Sequence, residues 1–246
     1  MEGQEDLIRA LALLPSDARR RAASAGRSIA EIAWRHRNAD FRFWSVAELD
    51  DRVNSILRDL SDGLMKDAED RARLLLLEME LDEYYDDAIA NAKEERNGHA
   101  PLWRLDMEAS HLKLELEAWI RAAFVTGATL QSLKASIENN IERPWESAEW
   151  VEAGFSKPSF GKGYQSDTVL GSALIMQDIL TRTTRLSQIR DFRAKGAVGY
   201  RTVRASSFHC PFCDEMAERI WPLSEDVLPY HPRCVCIAVP VYADEL

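Results

Sequence analysis

All four cysteines of the chain fall between residues 210 and 236, in the stretch CPFCDEMAERIWPLSEDVLPYHPRCVC. Their spacing is Cys-x2-Cys, seventeen residues, then His-x2-Cys-x-Cys. Such clustering constrains the local fold, because covalent bridges or a shared metal ion would draw the two ends together. Zinc takes four thiolate or imidazole ligands in a tetrahedron, and a two-residue gap lets a tight turn aim two side chains at one ion. Both halves offer such a pair, Cys210-Pro-Phe-Cys213 and His231-Pro-Arg-Cys234. In each, proline follows the first ligand, where its fixed φ stiffens the turn. Five candidates, Cys210, Cys213, His231, Cys234 and Cys236, therefore compete for four positions. Cys234 and Cys236 would share one face of an extended segment, so spacing excludes neither. His-x2-Cys mirrors the first pair, which favours Cys234. His209 is read as a neighbour of the site and not a ligand.

Compartment separates a metal from disulfides. The N-terminus, MEGQEDLIRALALLP, carries acids where a secretory signal would carry basic residues. The chain has no run of 18 or more apolar residues, so no membrane span is expected. A reducing cytosol disfavours disulfides and favours a metal. A cysteine nucleophile would need a facing base and a lowered pKa, and His209 is only a sequence neighbour of Cys210. Four protein ligands leave no open position for water, so the expected zinc is structural, not catalytic. The intervening DEMAERIWPLSEDVLPY is expected to form a short β hairpin, with Met216, Ile220, Trp221 and Leu223 packed beside the metal.

The rest of the chain reads as helix. At 246 residues and 46% hydrophobic it can bury a real core. Residues 4 to 37 suggest one or two short helices, interrupted at Pro15, with Ser16 or Asp17 capping the second. From Val46 to about Asn97, Leu49, Val53, Ile56, Leu57, Leu60, Leu64, Leu74 to Leu77, Leu81, Tyr84, Tyr85 and Ile89 recur at threes and fours. Asp62-Gly63 marks a potential break. A second run, from Leu102 to Ile141, places Leu105, Leu112, Leu116, Trp119, Ile120, Ala123 and Phe124 on one face with Leu102. Residues 151 to 166 have loop composition and form the best internal boundary. Ser166-Asp167 then caps a helix that Gly196 ends, and YRTVRA, ERIWPL and CIAVPVY read as short strands. The expected class is α+β. It divides into a helical region with a long acidic helix (1–100), a helical segment with a Gly/Pro loop (101–165) and a small zinc-stabilised α+β domain (166–246).

Charge is uneven. The net charge of -10 and pI near 5.1 argue against a protein that coats nucleic acid. Between Asp62 and Ala100 twelve acidic residues face five basic ones, which reads as a solvated helix face or a surface for basic partners. Between Thr181 and Arg204 the balance reverses, with Arg182, Arg185, Arg190, Arg193, Lys195, Arg201 and Arg204 against Asp191. These seven either pair with the acidic arm or meet an acidic partner or DNA phosphates.

The order of these features is itself informative. LTRTTRL, the glycine turn AKGAVGY, a short strand, CPFC, IWPL, LPYHP and a closing CVC with an aliphatic strand follow one another. Over roughly residues 166 to 240 this resembles the C-terminal domain of phage minor head proteins, the Mu F-like head morphogenesis family. The matching positions are Cys210, Pro211, Cys213, Met216, Arg219, Ile220, Trp221, Pro222, Leu223, Pro229, His231, Pro232, Cys234 and Cys236. His209, Ala217-Glu218, Arg233 and Val235 depart from the family pattern. Thr184 stands where an acid is common, which leaves no complete set for transferase chemistry. The resemblance implies a non-enzymatic assembly role in a phage or gene-transfer particle, built in the bacterial cytoplasm and residing in the virion head. Its implied partners are the portal, the major capsid protein or a scaffold, with packaged DNA a further contact.

Overall fold

The computed structural model describes residues 2–38, 40–95, 98–143, 168–204, 210–217, 219–230, 234 and 236–245. In order these form α1 (Glu2–Ala33), α2 (Ala47–Glu78), α3 (Tyr85–Ala92), α4 (Pro101–Thr126), α5 (Leu130–Glu142), α6 (Thr168–Ala194), β1 (Gly199–Val203), α7 (Pro211–Ala217), β2 (Ile220–Trp221) and β3 (Ile237–Val241). The chain is thus mostly helical, with a three-stranded antiparallel sheet near the C-terminus. The expected loop boundary at 151–166 and the Ser166-Asp167 cap lie outside the described residues.

Pro15 does not divide the first helix: α1 runs for 32 residues with the proline inside it. A proline in a helix interior lacks the N–H that would bond the carbonyl four residues back. That carbonyl belongs to Leu11, and it accepts instead from Gln177 Nε2 at 3.1 Å. A side chain has taken over a backbone donor's role. Asp17, expected as a cap, instead accepts a hydrogen bond from Arg20 within the helix.

α2 likewise passes through Gly63 without a break. The glycine serves close approach here, since an added Cβ would lie 2.9 Å from Arg21 Nη1. α2 stops at Glu78 through paired bonds, Leu81 N–H to Leu76 O at 2.8 Å and Glu80 N–H to Leu77 O at 3.2 Å. This closure needs a left-handed residue, and Glu80 supplies it with φ 57°. α6 ends in the same way at Gly196, φ 83°, where the residue type suits the geometry. The second helical run also divides: α4 ends at Thr126, and Thr129 Oγ1 caps α5 by accepting from Ser132 N–H at 3.1 Å.

Two compact units arise, each discontinuous in sequence. One comprises Met1–Leu14, Lys66–Pro101 and Leu174–Leu246; the other comprises Pro15–Met65 and Leu102–Ala173. α1, α2 and α6 each contribute residues to both units. Within the second unit, Leu49, Val53, Leu57, Leu60 and Leu64 of α2 are buried, as are Leu105, Leu112, Leu116 and Ile120 of α4. Arg19 donates to the Ile141 carbonyl at the end of α5 at 2.7 Å, and Lys113 meets Asp50 at 2.7 Å. Within the first unit, Leu75 and Leu76 are buried while Leu74 and Leu77 are exposed, so the four-leucine run is only half core.

The sheet order is β2-β1-β3. β1 pairs with β2 through Tyr200 opposite Trp221, and with β3 from Gly199 opposite Val241 to Val203 opposite Ile237. Pro240 sits on β3, an edge strand, where a missing N–H is tolerated. The three expected strands form, but the expected hairpin does not. The first four residues of that segment, Asp214 to Ala217, belong to α7, and IWPL contributes a two-residue strand that pairs with β1.

Replacing Gln177 by Leu leaves the Leu11 carbonyl without its donor and should cost about 1–2 kcal/mol in urea unfolding. Glu80→Gly relieves the left-handed strain and should raise stability by about 1 kcal/mol in the same measurement.

Candidate metal centre

Cys-Pro-Phe-Cys opens a helix. The Cys210 carbonyl accepts the first bond of α7, from Asp214 N–H at 3.0 Å, and Pro211 occupies the first helical position, which favours proline. Cys210 thereby directly precedes the helix and Cys213 is inside it, and their side chains interact by a hydrogen bond. Cys234 and Cys236 come from the segment entering β3, two residues apart as one-face exposure requires. The Sγ atoms of Cys213, Cys234 and Cys236 all lie within 4.8 Å of one another, and all three residues are buried. No disulfide joins them.

These three thiols can hold a metal ion. A tetrahedral zinc at about 2.3 Å from each sulfur places sulfurs about 3.8 Å apart, well inside that limit. Soft, buried and unbridged donors are what such an ion requires. Cys234 and Cys236, which spacing leaves as alternatives, both join the cluster. Cys210 is partly buried and bonded to Cys213; His231 lies outside the described residues.

The thiols are also the centre of the local core. Cys213, Cys234 and Cys236 pack with Ile189, Tyr200, Leu228 and Ala238, and Trp221, Leu223 and Tyr230 border them. Tyr200 is fully buried on β1, and its hydroxyl donates to the Glu225 carbonyl at 2.8 Å while accepting from Val227 N–H at 3.4 Å. Tyr230 and Thr202 share a hydroxyl hydrogen bond of 2.9 Å. The segment between the two cysteine pairs is thus tied to the sheet by tyrosines. Neither was singled out by the sequence, where each is one aromatic among several.

Burial and crowding act on the thiols. Burial, the hydrogen bond with Cys210 and the charge on Cys234 push Cys213 up to about 12. The hydrogen bond with Cys234, then burial, push Cys236 upward as well. Without a metal both remain protonated at neutral pH.

The basic stretch is placed differently from a surface patch. Arg182 and Arg185, two of the seven expected partner- or DNA-contacting residues, are 6% and 1% exposed. Arg182 donates to the Ala92 and Asn91 carbonyls at 2.9 and 3.1 Å, closing the end of α3. Neither arginine presents its charge to phosphates. The reason is the burial of α6 on several sides, made possible because its hydroxyls are satisfied locally: Thr183, Thr184 and Ser187 each donate to the carbonyl four residues back. Arg190 meets Asp87 of the acidic arm at 3.2 Å, Arg193 donates to the Leu223 carbonyl, Lys195 pairs with Asp191, and Arg204 pairs with Asp214 at 2.6 Å. Arg201 is exposed on β1.

Metal binding should release protons from these thiols, so affinity rises with pH, which calorimetry in buffers of different ionisation enthalpy detects. In the metal-free chain the protonated thiols contribute stability that is present below their ordinary value near 9 and lost as pH rises toward about 12. The urea midpoint in chelator should accordingly fall as pH rises from 9 toward about 12. Cys213→Ser or Cys236→Ser should each abolish tight metal retention through gel filtration.

No family model matches the chain, nor does any curated protein or solved structure, so the functional reading rests on the residues themselves.

Proposed function

We propose that this chain is an assembly component of the head of a phage or phage-like gene-transfer particle, acting through protein contacts and not by turnover. The observation that carries the reading is the ordered likeness of CPFC, IWPL, HPRC and CVC to the tail of phage minor head proteins. Three features support it. The matched cysteines Cys213, Cys234 and Cys236 converge in one buried cluster. The IWPL segment packs Trp221 and Leu223 against that cluster. The Thr184 hydroxyl, at the position where an acid would serve transferase chemistry, is buried and bonded to the Leu180 carbonyl.

In this reading the ion is a structural zinc held by Cys213, Cys234 and Cys236, with Cys210 or His231 at the fourth corner. A closed site of that kind contributes folding energy and offers no position for an activated water. The long helices supply the surface for portal, major capsid protein or scaffold.

The test is co-expression with the portal and major capsid proteins of a phage-like particle from the same genome, followed by sedimentation of the particles. The chain should sediment with particles at low copy and stay with them at high salt. Its absence from particles, while folded and soluble, would remove the assembly reading. Salt-sensitive retention that nuclease abolishes would replace it with a DNA-contact role.

A further inference from the structure

Arg185 stands apart from the other arginines of α6. It is 1% exposed and among the largest fully buried side chains of the chain. Its Nη1 donates to Gln188 Oε1 at 2.7 Å. Its Nε and Nη2 are buried and have no hydrogen-bond partner among the described residues. No carboxylate of those residues pairs with it; Ile189, one helical turn further along α6, belongs to the buried cluster of Cys213, Cys234 and Cys236, and Cys234 and Cys236 are the groups whose ionisation would favour its charge.

A buried cation without a counter-charge is among the most unfavourable arrangements a core can hold, and two buried N–H groups without acceptors add to it. A thiolate metal centre removes both difficulties. A divalent ion on three thiolates and a neutral ligand carries one net negative charge, and on four thiolates two. Metal-bound thiolate sulfurs also accept N–H hydrogen bonds. The guanidinium fork is suited to this, because it offers several donors in one plane.

We propose that Arg185 is the counter-charge of the cysteine metal centre, with its Nε–H and Nη2–H donating to the sulfurs of Cys234 and Cys236. The inference rests on the metal reading of that site and adds a residue from outside the Cys/His constellation. Arg185 is a positioning residue: it orients and stabilises ligands without touching the ion. The centre it fits is anionic and thiolate-rich, which selects a thiophilic divalent cation over magnesium or calcium. Groups of this kind next to a metal site commonly alter affinity by about 10–100-fold when removed.

The experiment uses the full chain, titrated with Co(II) and then with zinc in competition. Wild type should give sulfur-to-cobalt charge-transfer bands and a tetrahedral d–d band. Arg185→Met should weaken zinc binding by about 10–100-fold and move the charge-transfer band to lower energy, because unbonded thiolates hold their lone pairs less tightly. Arg185→Lys should recover most of the affinity but not the band position, since an ammonium restores charge without the fork. Circular dichroism establishes that each variant folds; if Arg185→Met does not, Arg185→Gln removes the charge while keeping polar donors and takes its place. If wild type binds neither metal, the metal reading falls and this inference with it. If wild type binds and the neutral variant matches it within about twofold with an unmoved band, the metal site stands and the role of Arg185 is overturned. Equal losses in the Met and Lys variants, with no band shift, would assign Arg185 to packing alone.

Discussion

Buried thiols repel one another once ionised, and in the C-terminal core three of them lie within 4.8 Å with no disulfide between them. Their surroundings are fitted to that crowding. Ile189, Tyr200, Leu228 and Ala238 pack in the same buried cluster, and the buried Arg185 lies one helical turn before Ile189. The sheet itself is slight: β2 has two residues and β1 and β3 have five each. Strands so short gain little from their own ladder, so the order of this region depends on what happens among the sulfurs. The tyrosine hydroxyls extend that order to the connecting segment by bonding its backbone and Thr202.

α6 links this core to the rest of its unit by chemistry that is unusual for a central helix. Its middle is rich in Thr, Ser and Arg, yet these residues are buried. The hydroxyls of Thr183, Thr184 and Ser187 bond back to their own helix, which meets their polar demand with small side chains. Room is thereby left for two long arginine stems. One guanidinium closes the carbonyl end of α3; the other bonds Gln188 within α6. Two of the seven charges that look like a surface stripe in sequence, Arg182 and Arg185, lie inside the molecule.

That contrast indicates what a sequence conveys and what it hides. Apolar spacing locates the faces of α2 and α4, since burial of Leu49, Val53, Leu57, Leu60 and Leu64 is a local and periodic property. The cysteine spacing likewise finds the cluster, and the β-branched runs find the strands. What escapes is every feature settled by a distant partner. The Leu11 carbonyl freed by Pro15 is met by Gln177, and the buried Arg182 is met by the carbonyls of α3. The hairpin expected between the cysteine pairs fails for a related reason: the Trp221 strand finds a better neighbour in β1 than in its own flank. Helix ends are intermediate cases. Gly196 announces its left-handed turn, whereas Glu80 adopts the same turn without the residue type that would signal it.

The Leu11 carbonyl and the Gln177 amide carry one further consequence, for the order in which the chain takes shape as it is made. Residues 11 and 177 are separated by 166 positions. The first helix emerges from the ribosome with a gap at its proline that nothing nearby can fill. Its complete hydrogen bonding waits until most of the chain has been translated and α6 has arrived. Until then water must meet that carbonyl, so the contact between the first helix and α6 is one that synthesis can only complete late.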